Sequence, residues 1–536
     1  MFKLVIKNNQ SLALKVEGFL PLKILLLLSI AVVEVLLCAN PVLTQDNSDS
    51  KTIETSQQRS RDSKTVELKL TDVVQLVVQN NRELKNSYLS RIVERQQLAE
   101  AEGKFSPTVT PNFSVSVSET LSDEPSFEDD FGDNNTGDFS EPVTGDSSES
   151  FGFENDSDFG GNSFERSLQI GAELLTPIGT NITLTADPIS DFEVVGLEVR
   201  QPLMRGAGTN VNRASVKSAR LTDTRQVLEV KRTSIDRITE GVKAYRALIQ
   251  AQEEVKIRQR SLKSRRKDLQ VQLALVESGR RAKADLVQLR SSVAGAEEQL
   301  LSSLNSQAQA NADLLQIIDT DRNLNIIIPQ EIIQDLTDRS LFRPVELDRE
   351  SLLEQAYTQR PDYLQANLDL TIARFDVIEP KDDKRWQLDA VSNLNLGDSY
   401  QASAGLELTK ELGDRSLQTA FETARVDILQ KQNDLKESEE TVRIEVRDRI
   451  EDVNSNLAQI EKARQAKELA QERLVIVQQL YRRGRGGIDI FEVTSQQDQV
   501  VEAQNTELNA IIGYLNAKTD LEQSLGTTLK TWQEFI

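Results

Sequence analysis

Residues Gly196–Met204 read GLEVRQPLM, and Gly405–Gly413 read GLELTKELG, a similar alternating phrase 209 positions further on. The echo is wider than this phrase. Asp72–Leu84, DVVQLVVQNNREL, resembles Ser351–Tyr363, SLLEQAYTQRPDY, at an offset of 279, and Gly279 pairs with Gly484 at 205. Matches that recur in order along a chain mark tandem copies of one structural unit. We read 66–330 as repeat 1, 331–347 as an inter-repeat connection and 348–536 as repeat 2. The fall in offset from 279 to 209 gives the first copy 70 extra residues between Leu84 and Gly196.

Each copy runs in the same order. A helix of about 35 residues (Leu70 to Lys104; Asp348 to Glu379) leads into strands, then a very long helix, a tight turn and a further helix. In copy one TVTPNFSVSVS, SLQIGAEL, NITLTA and VVGLEVRQPL alternate with period two; in copy two LDAVSNLNL and QASAGLELT do so within 387–409. Thinly hydrophobic, alternating segments of about ten residues suit an outer-membrane barrel strand. They suit a soluble hairpin with one buried face equally well. Pro177 and Gly179 mark a turn inside ELLTPIGTNITLTA, a longer hairpin whose place in or outside the main strands stays open.

The long helices say more. No proline lies between Pro202 and Pro329 or after Pro380, so both stretches are free to stay helical. Leu228, Ile235, Val242 and Ile249 fall seven apart, and Leu248, Val255, Leu262, Leu269 and Val276 continue one residue out of step. Val446, Val453 and Ile460 repeat the spacing in copy two. A heptad seam packs against neighbouring helices as in a coiled coil. One helix from Asn210 to Ser278 spans about 105 Å, a length that suits crossing a periplasm.

Composition narrows the function. A net charge of −22 argues against nucleic acid as a main partner, since phosphate binding needs a basic face. With no histidine and one cysteine, Cys38, the commonest general base and zinc ligands are missing. No nucleophile, base and orienter come together in the sequence, so we expect no enzyme, no metal and no cofactor. At the N-terminus, Lys3, Lys7, Lys15 and Lys23 precede the apolar run ILLLLSIAVVEVLLCAN, the order of a signal peptide, which we place at 1–39. A retained membrane anchor and a lipoprotein on Cys38 are the competing readings. Residues 40–65 read as a disordered linker. Leu121–Glu165 carries fourteen acids and no base, too polar to bury a core and best read as a solvated loop; its calcium-loop spacing is incomplete.

Two tandem copies of helix, strands, long helix, turn and helix, with QPLMRGAG at Gln201–Gly208 and YRRGRGGIDIFEV at Tyr481–Val493, resemble the TolC family of outer-membrane efflux proteins. The resemblance covers nearly all of Leu68–Leu525. It implies a mostly α fold with a β-barrel: a homotrimer whose subunits each give four strands to a shared twelve-stranded barrel in the lipid bilayer, continuing into a periplasmic helical tunnel. It also implies a periplasmic adaptor and an inner-membrane transporter as partners, in efflux or type I secretion, with 331–347 at the equator and 121–165 facing the exterior.

The same resemblance places the periplasmic tips at 279–285 and 484–489, where Gly279, Gly484, Gly486 and Gly487 release the chain from the helix. It assigns an aperture constriction to Tyr481 linked to Asp285, with Arg485 as the linking arginine, and an acidic ring to Asp489 and Glu492. Those two acids can equally complement a helix N-terminus. Arg280, Arg281, Lys283, Arg482 and Arg483 make the tips basic and are docking candidates for an adaptor. Two other readings stand beside the channel: a membrane-anchored periplasmic adaptor and a coiled-coil scaffold.

Overall fold

In the computed structural model the described residues are 65–118, 163–187, 194–279, 283–335, 342–344, 348–397, 400–483 and 487–534. The long helices expected from the heptads are α4 (Ala214–Glu277, 64 residues) and α10 (Ser416–Arg482, 67 residues). Each turns back into a helix of 35 residues, α5 (Ala284–Ile318) and α11 (Ile490–Ser524). At 1.5 Å per residue α4 alone is about 96 Å long. A four-residue helix, α3 (Thr209–Asn212), precedes it, so the expected start at Asn210 gives way to a break at Arg213.

Most seam residues are buried as their spacing predicts, while Leu228, Leu269 and Val276 are half-buried. Ile235, Val242, Ile249, Leu248, Val255 and Leu262 are buried along α4, and Val446, Val453 and Ile460 along α10. Around α10 the core adds Ala510, Tyr514 and Leu521 from α11. Around α4 it adds Leu314, Leu315 and Ile318 from α5.

The single helices expected over Leu70–Lys104 and Asp348–Glu379 are instead divided, the first into two and the second into three. The first segment forms α1 (Leu70–Asn80) and α2 (Arg82–Gly103); the second forms α7 (Arg349–Gln359), α8 (Pro361–Asp376) and the short α9 (Ile378–Asp383). The breaks fall at Asn81 and Arg360, which leave the helical backbone with ψ of 125° and 118°. Asn81 then caps α2, its Oδ1 accepting from the Glu83 and Leu84 amides at 3.0 and 3.1 Å, while its amide donates to the Ile317 carbonyl. At Arg360 the following proline disfavours helical backbone before it and suits the first turn of α8. Near these breaks β1 (Thr65–Glu67) pairs in parallel with β6 (Asn325–Ile327), followed by α6 (Gln330–Asp335).

The remaining strands form one antiparallel sheet of six: β2 (Thr108–Ser118), β3 (Ser163–Leu175), β4 (Asn181–Asp187), β5 (Val194–Pro202), β7 (Gln387–Leu396) and β8 (Tyr400–Thr409), in that order. Among the described residues the sheet thus has two strands more than the four that the resemblance implies for the barrel. The longer hairpin lies inside the sheet, with β4 between β3 and β5. Its turn is built into the strand-to-helix exit: the Gly208 amide donates to the Ile178 carbonyl at 2.9 Å. Gly179, at φ +97°, approaches so closely that a Cβ there would lie 2.3 Å from the Gly206 carbonyl oxygen.

Candidate functional site: a two-faced sheet and a polar helical tip

Side chains alternate across a strand, so residues paired across the sheet share a face. Val109, Ala172, Leu184, Leu197, Leu394 and Ala402 form one row straight across all six strands. The adjacent row, Thr108, Glu173, Thr183, Glu198, Asn393 and Ser403, lies on the other face. The segregation holds beyond these rows: Pro111, Ile170, Ala186, Val195, Leu396 and Tyr400 share the apolar face. Phe113, Tyr400, Leu406 and Leu408 on that face are 60–85% exposed. On the polar face Arg200 donates to Asp389 at 3.1 Å and Glu407 at 2.9 Å, bridging β5, β7 and β8. Large apolar side chains standing open on a face whose one charged register position is Arg166 mark a surface made to be covered.

At the opposite end of the long helices, Leu289, Val477, Ile490 and Val493 form a small apolar cluster, with Leu269, Tyr481 and Ile488 packed on it. The expected Tyr481–Asp285 pair meets here through a third residue. Tyr481 Oη donates to Gln272 Oε1 at 3.2 Å, and Gln272 Nε2 donates to Asp285 Oδ2 at 3.0 Å. Gln272 is only 2% exposed. One turn pair further along α4, the buried Arg265 guanidinium bonds Asp498 and Ser292, and Gln497 donates to Asp268 at 2.7 Å.

Asp489 is the N-cap of α11, its Oδ1 accepting from the Glu492 amide at 2.9 Å. Glu492 in turn accepts from the Gln496 amide group at 2.9 Å. Of the two readings of these acids, the single chain displays the helix-capping one. Asp285 occupies the first turn of α5, where a carboxylate favours the positive end of the helix dipole. Gly279, the residue after the α4 C-cap Ser278, adopts left-handed backbone at φ +72°, as helix-releasing glycines do, and Gly487, at φ +64°, lies two residues before the α11 N-cap Asp489. Lys283, Arg482 and Arg483 are exposed beside them. Gly484, Gly486, Arg485, Arg280 and Arg281 lie outside the described residues, as does 121–162, most of the acidic insertion.

Gln272 and Arg265 were missed in the sequence, although a signal for them was present. Leu262, Leu269 and Val276 hold one seam position of the heptad, and Arg265 and Gln272 hold the partner position three residues on. A polar residue at such a position gives up stability and fixes register.

These features define a class by fold. The chain has the fold of the TolC-type outer-membrane channels, with long helical hairpins continuing into an antiparallel sheet. Among solved structures it is similar to CusC, described with transmembrane channel formation (14% identity, 91% of this chain and 99% of that one, TM-score 0.63). The CmeC outer membrane channel of Campylobacter jejuni gives 13% identity, 93% and 97% coverage and a TM-score of 0.62. The outer membrane protein VceC of Vibrio cholerae gives 14%, 85% and 96%, and 0.61. No protein-family model matches the chain, and no curated protein matches it by sequence.

Proposed function

We propose that this chain is an outer-membrane channel that passes substrates from the periplasm to the exterior. The observation that carries this reading is the apolar sheet face, whose one charged register position among the described strands is Arg166, open on a strand set whose other face is polar. Burying such a face in lipid while the polar face lines water is the arrangement of a membrane barrel. Among the described residues no helix is long and apolar enough to cross a membrane. The anchored-adaptor and scaffold readings give no use for the two-faced sheet.

In this reading, residues 1–39 are a signal peptide and 40–65 a linker, and three copies close one barrel above a shared helical tunnel. The two copies of the unit, 66–330 and 348–536, supply equivalent helices; breaks 279 residues apart, at Asn81 and Arg360, support the repeat. A periplasmic adaptor and an inner-membrane transporter deliver the substrate, in efflux or type I secretion. The protein conducts and performs no bond chemistry. Docking of the adaptor on Arg280, Arg281, Lys283, Arg482 and Arg483 shifts the closed tips toward open. Tyr481, Asp285 and Arg485 hold the tips together, and Asp489 and Glu492, repeated threefold, favour cations at the aperture.

Planar-bilayer conductance of the purified mature chain tests this. Discrete, cation-favouring steps are expected. Folded, helical protein that gives no steps overturns the channel.

A further inference from the structure

The helical part is four helices wide both next to the sheet and toward the tips, yet the sheet has six strands among the described residues. Next to the sheet, α2, α4, α8 and α10 pack in that order; toward the tips, α5, α4, α11 and α10 do so. Four strands continue directly into helices: β2 follows α2, β5 leads to α3 and α4, β7 follows α9, and β8 leads into α10. β3 and β4 instead join each other through the turn at Thr176–Thr180, where the Gly179 amide donates to the Thr176 carbonyl at 2.9 Å. This hairpin is no appendage. β4 is paired along its length on both sides, and its Ile182, Leu184 and Ala186 continue the apolar face while Thr183 and Thr185 continue the polar one.

We infer that the β3–β4 hairpin is a pair of additional wall strands, so that three copies close an eighteen-stranded barrel whose girth matches the helical tunnel. The inference rests on the trimeric channel reading above. The contact that closes the wall is a second copy of this chain: the free edge of β8 takes the free edge of β2 from the next copy. Those edges end an up-and-down sheet of even strand number, so they meet antiparallel, and all ten residues of β8 are exposed and available.

The girth follows from spacing. Twelve helices set about 9–10 Å apart make a ring of about 115 Å. Eighteen strands about 4.8 Å apart, tilted by about 40°, make a wall of about 110 Å, whereas twelve strands make one of about 75 Å. Six strands per chain therefore give a barrel about 1.5 times as wide as four per chain allow.

Electron cryo-microscopy of the full chain in lipid nanodiscs, with copy number from native mass spectrometry, counts strands per chain. Six per chain in a trimer is expected. Four per chain in a trimer, with β3–β4 lying against the wall, overturns this inference alone; a copy number other than three overturns the eighteen-strand closure together with the trimer. Thiol labelling in a Cys38→Ala background gives an independent reading. Leu184→Cys should resist a membrane-impermeant maleimide that modifies Thr183→Cys at least tenfold faster. Equal rates at the two positions place the hairpin outside the lipid-facing wall and refute the proposal.

Discussion

Gln272→Leu is the sharpest perturbation of the tip. Leucine keeps comparable bulk beside Leu269 and Tyr481 but removes both hydrogen bonds of the bridge. The bond accepted from the Tyr481 hydroxyl is neutral and contributes about 0.5–1.5 kcal/mol; the bond donated to the Asp285 carboxylate has a charged acceptor and contributes about 1.5–3 kcal/mol. Asp285 is half-buried, so solvent screens part of the second term, and the lower end, about 2 kcal/mol for the pair, is the working figure. That shifts a closed-to-open equilibrium about 30-fold per chain. Tyr481→Phe removes the weaker bond to Gln272, about 1 kcal/mol, or about fivefold. In single-channel recordings Gln272→Leu should raise open probability or conductance well above wild type, with Tyr481→Phe between them. A Gln272→Leu channel that behaves as wild type, or a Tyr481→Phe channel that opens further, would refute the bridge as the element holding the tip.

Three other outcomes are expected. Asp489→Asn keeps a good N-cap, so helix stability should change by a few tenths of a kcal/mol, whereas Asp489→Ala should cost about 1 kcal/mol; a loss of cation preference in Asp489→Asn separates the ring from the cap. Leu406→Lys puts a charge on the apolar face and should cost about 2–4 kcal/mol near the bilayer centre, read as loss of the heat-resistant oligomer, while Ser403→Lys on the polar face should be tolerated. Burial raises the Glu522 carboxyl above its ordinary value, with Lys518 and Arg246 pulling it back. The folded state therefore holds this proton more tightly than the unfolded one, and the associated stability is lost as pH rises through the raised value. Glu522→Gln should accordingly gain on wild type in thermal melts at neutral pH, with the gap closing in acid; a gap that widens in acid refutes the sign.

The neighbouring Arg246 shows the same environment from the other side. Burial brings its guanidinium down to about 10, partly offset by Glu522 and Asp520. Its Nη1 donates to the Leu515 carbonyl at 2.7 Å and to Thr519 Oγ1 at 2.8 Å, so α4 and α11 are joined by a solvent-poor polar contact.

The sequence by itself determined the long helices, their seams and the strand alternation, because periodicity is local: seven-residue spacing along Leu248–Val276 and period two along Val195–Val199 each need only neighbours in the chain. It also marked Gly279, which follows the C-cap of α4 in left-handed backbone. Three-dimensional packing decided the rest. That β4 lies between β3 and β5 follows from pairings that link Leu184 to Leu197 and Ala172, and strand order carries no local mark. That Tyr481 reaches Asp285 through Gln272 follows from α10 meeting α4 and α5 at one point, Tyr481 lying 209 residues from Gln272 along the chain. Heptads told which side chains turn inward; only the packed helices decided which inward-facing polar groups found one another, because a buried amide must be satisfied by whatever donor or acceptor the fold brings to it.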